Sequence, residues 1–83
     1  MKHEDICKQL KVIYENKQSD YGNSFGESIK EWGMIAAIVR MDDKMRRLKS
    51  LVKQPALIKS ESMKDTLMDL ANYCIMSVME VEK

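Results

Sequence analysis

The chain has 83 residues, with 14 basic and 13 acidic side chains and a formal charge of +1. That balance argues against nucleic-acid binding through bulk charge, and no stretch reaches the roughly 20 apolar residues of a membrane span. The length suits one domain, residues 1–83, whose core is small enough that a partner chain is expected to complete it.

The first helix is predicted over residues 3–18, with Ile6, Leu10, Ile13 and Tyr14 on one face. His3 and Cys7 stand i, i+4 on it, but two ligands near a chain end make a poor zinc site. Cys7 and Cys74 are the only cysteines, which suits a reducing compartment and a cytoplasmic location. The N-terminus has no long apolar run of the kind that marks a signal peptide. SDYGNS at 19–24 breaks the helix, since Gly22 and Asn23 favour turns.

A second, long helix is predicted from Phe25 to Val52, with Gly33 inside it at a cost of about 1 kcal/mol. Pro55 ends that run, 54–60 reads as a loop, and a third helix is predicted from Ser60 to Val81. The fold class is therefore all-α: an antiparallel bundle of about three helices, completed by oligomerisation. A lone protomer would expose Leu48, Leu51 and Val52, and pairing two chains buries them. The alternative is a monomeric three-helix bundle. Eight methionines suit an irregular core or an adaptable binding surface.

The acids carry the most chemistry. At about 100° per residue, Glu27, Glu31 and Asp42 share a side with Ile38 and Met45 of the long helix. Glu61, Asp65, Asp69 and Asn72 form a second stripe, bordering an apolar face of Leu67, Leu70, Ala71, Cys74 and Val78. Like charges at i, i+4 destabilise a bare helix. A divalent cation with oxygen ligands would relieve them, whereas a solvated charged face is the ordinary alternative.

Arg40, Lys44 and Arg47 share one face of the long helix, and Arg46 lies near Asp42. Cations beside acids suit a metal-bound phosphate. Internal pairing of Asp42 with Arg46, or Asp43 with Arg47, competes with that reading. In DYGNSFG (20–26), Tyr21 and Phe25 offer stacking surfaces, as do Trp32 and Tyr73, although aromatics at helical spacing also build cores. The loop lacks the glycines and the Lys-Ser/Thr of a P-loop. With His3 as the sole histidine, no Ser/His/Asp or Cys/His set exists.

DYGNSF, RMDDKMRRL and ESMKDTLMDLANY, in this order, resemble the nucleotide modification associated domain 1 family, small helical proteins common in phages and bacteria. The resemblance covers roughly residues 10–80 and implies a link to nucleotide metabolism or modified DNA. More distantly, Asp69-Leu70-Ala71-Asn72-Tyr73 is similar to the second metal motif of the MazG-like and dimeric dUTPase all-α pyrophosphatases. Those proteins hold magnesium with Glu-x-x-Glu on one helix and Glu-x-x-Asp on the next. Here Thr66 stands three before Asp69, and Lys30 stands where the second Glu of the first motif would fall.

These observations together lead to a nucleotide-binding protein of MazG-like type. Glu27, Glu31, Glu61, Asp65 and Asp69 are expected to hold magnesium. Lys44, Arg46 and Arg47 are expected on phosphate, with Tyr21, Asn72 and Tyr73 on sugar or base. If it is an enzyme, the reaction implied is pyrophosphohydrolysis by a metal-activated water. The alternatives are a non-catalytic binder that sequesters a nucleotide signal, as a phage might use in a host cytoplasm, and a purely structural helical module.

Overall fold

The computed structural model describes the backbone of all 83 residues and the side chains of all but residues 57–59. Four helices follow one another: α1 (His3–Tyr21), α2 (Ser24–Trp32), α3 (Ile35–Leu51) and α4 (Ala56–Val81). Among the described residues there is no strand, so the all-α expectation holds, with four helices where three were expected.

Each boundary has a local cause. At the start of α1 the Lys2 N–H donates to the Asp5 carboxylate at 3.0 Å, which satisfies one of the orphan donors of a helix start. Helix α1 runs three residues past its predicted end and stops at Gly22, whose φ of 65° and ψ of −151° belong to a region essentially reserved for glycine. The Asn23 side chain then accepts from the Gly26 N–H at 3.3 Å and caps α2.

The predicted long helix from Phe25 to Val52 is two helices. Gly33 ends α2 with φ 79° and ψ −175°, its N–H donating to the Ile29 carbonyl. Residues 33 and 34 reorient the chain before α3 begins. At the other break, Pro55 is the N-cap of α4, so the helix starts at Ala56 rather than Ser60. The proline ends the previous run without preventing the next one, because a helix start needs no N–H from it.

Helix α4 is the spine. Its 26 residues span about 39 Å at about 1.5 Å each, matching the 40 Å long axis of the molecule. Helix α3 lies against it in the antiparallel sense: Met41 meets Cys74, Lys44 meets Asp69, and Arg47 meets Thr66. Helix α1 lies on another side of α4 and runs in the same sense, with Leu10 against Asn72 and Gln18 against Met76. Helix α2 caps the C-terminal part of α4, where Phe25 stacks on Tyr73 and Gly26 packs beside the Glu80 carboxylate.

The core is small. Among the described residues, Leu10, Phe25, Ala37, Leu51 and Met68 are buried and apolar. Three polar residues among those described are buried with them, each hydrogen-bonded as burial demands. Asn72 donates to the Leu10 carbonyl at 3.1 Å, Thr66 to the Ser62 carbonyl at 2.8 Å, and Ser77 to the Tyr73 carbonyl at 2.7 Å. The Asn72 bond fixes α1 on α4 at one depth, since no other register puts that carbonyl opposite the amide.

The inward face of α4 differs from the expected one. Asp69, Asn72, Tyr73 and Met76 turn toward α1, α2 and α3, while Leu67, Cys74 and Val78 are exposed. Asp69 and Asn72 on this arc bond α1 and α3, and Tyr73 stacks on α2.

Candidate functional site

A cavity of about 180 Å³ opens where α1, α2 and α3 converge on α4. Helix α1 supplies Tyr14, Lys17, Gln18 and Tyr21. These fall at i, i+3, i+4 and i+7, one stripe of the helix. Phe25 of α2 and Arg40 of α3 form a second wall, and Asp69, Asn72, Tyr73 and Met76 of α4 form the floor.

The aromatic part of this site is ordered by stacking. The Phe25 and Tyr73 rings lie 5.5 Å apart at 17°, an offset-stacked pair of the kind worth about 0.5–1.5 kcal/mol beyond burial. The Arg40 guanidinium sits 5.4 Å from the Phe25 centroid, within reach of a cation–π interaction. Arg40 also donates from Nη2 to Ser28 Oγ at 2.9 Å, and Ser28 in turn donates to the Ser24 carbonyl at 2.9 Å. Arginine has five N–H donors, so the guanidinium keeps donors to spare. Tyr21 stands at the mouth, 73% exposed.

Asp69 is the electrostatic centre. Its two carboxylate oxygens each accept from a different lysine: Lys17 at 2.9 Å from α1, and Lys44 at 3.1 Å from α3. Burial pushes the Asp69 carboxyl up, but the two lysine hydrogen bonds and charges outweigh it and hold it below the ordinary carboxylate range. The arrangement ties three helices through one carboxylate and leaves the Lys17 side chain, on the rim, more than half exposed.

The structure thus gathers Tyr21, Asp69, Asn72 and Tyr73 of the expected site residues at one cavity, with Lys44 behind Asp69. It does not gather the rest. Arg46 pairs with Asp42 at 2.7 Å on the exposed side of α3. Arg47 donates to Thr66 Oγ1 at 3.3 Å toward the other end of α4. The two acidic sets lie apart: Glu27 borders a cleft with Glu80 and Lys83, whereas Glu61 and Asp65 are exposed roughly 22–28 Å away along α4. Glu31 is exposed on the last turn of α2, and the break at Gly33 removes the continuous face that related it to Asp42.

Within one protomer, therefore, these carboxylates do not fit a magnesium centre. Among the described residues no three His, Cys, Asp or Glu side chains come together for a metal, and both Asp69 oxygens are engaged by lysines. His3 and Cys7 do meet, with Nδ1 and Sγ 3.7 Å apart, at an exposed position.

Lys17, Gln18 and Tyr14 escaped the sequence reading as site residues, and Arg40 entered it only as part of a basic face suited to phosphate. The signal for the first three was the polar and aromatic stripe continuing from Tyr14 to Tyr21, hidden by ending the helix at residue 18. Arg40 was grouped with Lys44 and Arg47 by helical spacing, and only the turn at Gly33 puts it over Phe25.

Comparison with known proteins agrees with the motifs. The family model for nucleotide modification associated domain 1 matches residues 17–81, which includes the cavity residues from Lys17 to Met76. Comparisons with curated proteins and with solved structures find no match. Among the described residues, no helix is long and apolar enough to cross a membrane. With a match over most of its length, from the cavity stripe of α1 to the last turn of α4, the chain belongs to the nucleotide modification associated domain 1 family.

Proposed function

We propose that the protein binds a nucleotide or nucleotide-like phosphate compound at the cavity between α1, α2, α3 and α4. The observation that carries this reading is the pairing of Arg40 with a stacked aromatic wall. Its guanidinium is held over Phe25 and lines a cleft that Tyr21 and Lys17 also line. Charge-assisted contacts from arginine and lysine recognise phosphate, and aromatic faces stack on bases irrespective of sequence.

The cavity is smaller than the roughly 300–1,000 Å³ of a pocket that engulfs a drug-sized ligand. It therefore takes one part of the ligand. We assign the phosphate to Arg40 and Lys17, and the base to the exposed ring of Tyr21 outside, at the mouth. Lys44 acts from behind, by holding Asp69.

The MazG-like features belong to this proposal: a bundle completed by further copies, a cytoplasmic location, and magnesium or hydrolysis. Among the described residues one protomer brings no three metal-ligating side chains together, so a magnesium centre would have to form between chains. The choice between an enzyme and a binder that releases its nucleotide unchanged is made by one experiment. The purified protein is incubated with a nucleotide panel, with and without magnesium, and ligand is identified by mass spectrometry after release.

Binding by calorimetry should weaken about tenfold or more in Arg40→Ala, given roughly 1.5–3 kcal/mol for a charge-assisted bond and about 1.4 kcal/mol per decade. Tyr21→Ala, at an exposed position, should lose about 1–3 kcal/mol of base stacking without moving the melting temperature. Unchanged affinity in both variants would refute the assignment. If Glu31→Gln abolished a magnesium-dependent rise in melting temperature, the carboxylates would be metal ligands in an assembly of chains.

A further inference from the structure

One exposed arc of α4 has no charge between Lys64 and Glu82, the residue that follows its last turn. At about 100° per residue, Leu67, Ala71, Cys74, Ile75 and Val78 share one arc there. Asp65, Asp69 and Glu80 all lie on the opposite side. Leu67, Ile75 and Val78 are 48%, 48% and 57% exposed. The patch continues onto α3, where Met41 touches Cys74 with 3.7 Å between the sulfurs and Ile38 and Met45 are exposed. Contiguous apolar surface of this kind marks an interaction site.

The charges at its two ends say what covers it. Lys64 and Glu82 fall at the same angle on the helix, one at each end of the apolar arc, about 27 Å apart. An antiparallel copy of α4 laid on this arc puts each Lys64 opposite the Glu82 of the other chain, twice over. That is the self-complementarity of a two-fold interface, where residue i meets j and j meets i. A lipid surface would instead call for cations along both flanks of the arc, and Glu82 is an acid.

We infer that a second copy of this chain docks antiparallel on the outer face of α4, with the two-fold axis at the height of residues 73 and 74 along the helix. The four helices α3 and α4 of the two chains then form a bundle of interaxial spacing about 8–10 Å. The midpoint between Lys64 and Glu82 is Tyr73. The two Cys74 residues consequently lie within about 3 Å of each other along the helix axes, with their sulfurs across the seam. The aromatic cavity opens on the other side of α4 and stays accessible.

The test uses the full chain carrying Cys7→Ser, so that Cys74 is the only thiol, and a short bis-maleimide cross-linker. The expected result is a covalent dimer, and in sedimentation equilibrium a mass twice the 9.7 kDa of the chain. Val78→Asp should abolish both. Lys64→Glu should weaken the dimer about threefold to tenfold, since it removes two exposed ion pairs and sets like charges together. The swap Lys64→Glu with Glu82→Lys should restore it. Circular dichroism verifies that each variant keeps its helices, and the charge swap decides the matter should Val78→Asp unfold. A monomer at 100 µM (about 1 mg/ml), a dimer that survives Val78→Asp, or a swap that fails to restore association would overturn the proposal. So would cross-linking that is unchanged when Cys74 is replaced by Ser.

Discussion

At the residue scale, Asp69 links three helices and shows how one side chain can be read in two ways. On a helical wheel it is one carboxylate of an acidic stripe. In the fold it accepts from Lys17 and Lys44, and its charge is compensated by protein cations. Its folded value lies below its unfolded one. The ion pairs therefore stabilise the fold above the ordinary carboxylate range, and that stability is lost as pH falls through the lowered folded value. Asp69→Asn should lower stability at pH 7 by about 0.5–1 kcal/mol, a small figure because the pairs are partly solvated. The difference from the parent chain should shrink to nothing once the pH lies below the lowered folded value. Urea unfolding of both proteins across this range checks it, and a difference independent of pH would show that the lysines do not stabilise the ionised form.

At the element scale, the decisive feature is the break at Gly33. Its φ of 79° with ψ near −175° is open to glycine and strained for any residue with a Cβ, by roughly 1–3 kcal/mol. No atom would obstruct an added Cβ there, so the penalty is one of backbone conformation alone. Alanine also favours continuation of the helix by about 1 kcal/mol over glycine. Gly33→Ala should therefore destabilise the protein by about 1–3 kcal/mol and pull α2 and α3 toward one straight helix. That would withdraw Phe25 and Ser28 from Arg40 and weaken the nucleotide binding proposed above. Thermal melting and calorimetry on the same sample test both effects. A variant that melts and binds like the parent would mean the turn tolerates a side chain and the helix break has another cause.

At the scale of the whole molecule, the protomer buries few large apolar side chains and leaves Leu67, Ile75, Val78, Ile38 and Met45 in solvent. Small cores support only a few kcal/mol of stability. Association through the outer face of α4 would supplement this by mass action, so the melting temperature should rise with protein concentration. Scans over a hundredfold concentration range measure that directly. A constant melting temperature would fit a chain that unfolds as a monomer.

The amino-acid sequence by itself determined the all-helical class, the breaks at Gly22 and Pro55, and the motifs that place the chain in its family. These are local properties: helical spacing, glycine and proline backbone preferences, and short residue strings carry them. It also singled out Asp69 and Asn72, as a polar stripe visible on a helical wheel, Tyr21 as an aromatic of the 20–26 loop, and Tyr73 as an aromatic within the family motif. The wheel does not say which arc turns inward. On α4 both arcs qualify, and contacts between residues far apart in sequence chose the one bearing Asp69 and Asn72: the Asn72 amide on the Leu10 carbonyl, Lys17 and Lys44 on Asp69, and Phe25 on Tyr73. Only the tertiary structure decided that the Gly33 turn brings Arg40 to Phe25. It likewise separated Glu27 from Glu61 and Asp65 by most of the length of α4, because helix directions are set by packing rather than by spacing within one helix.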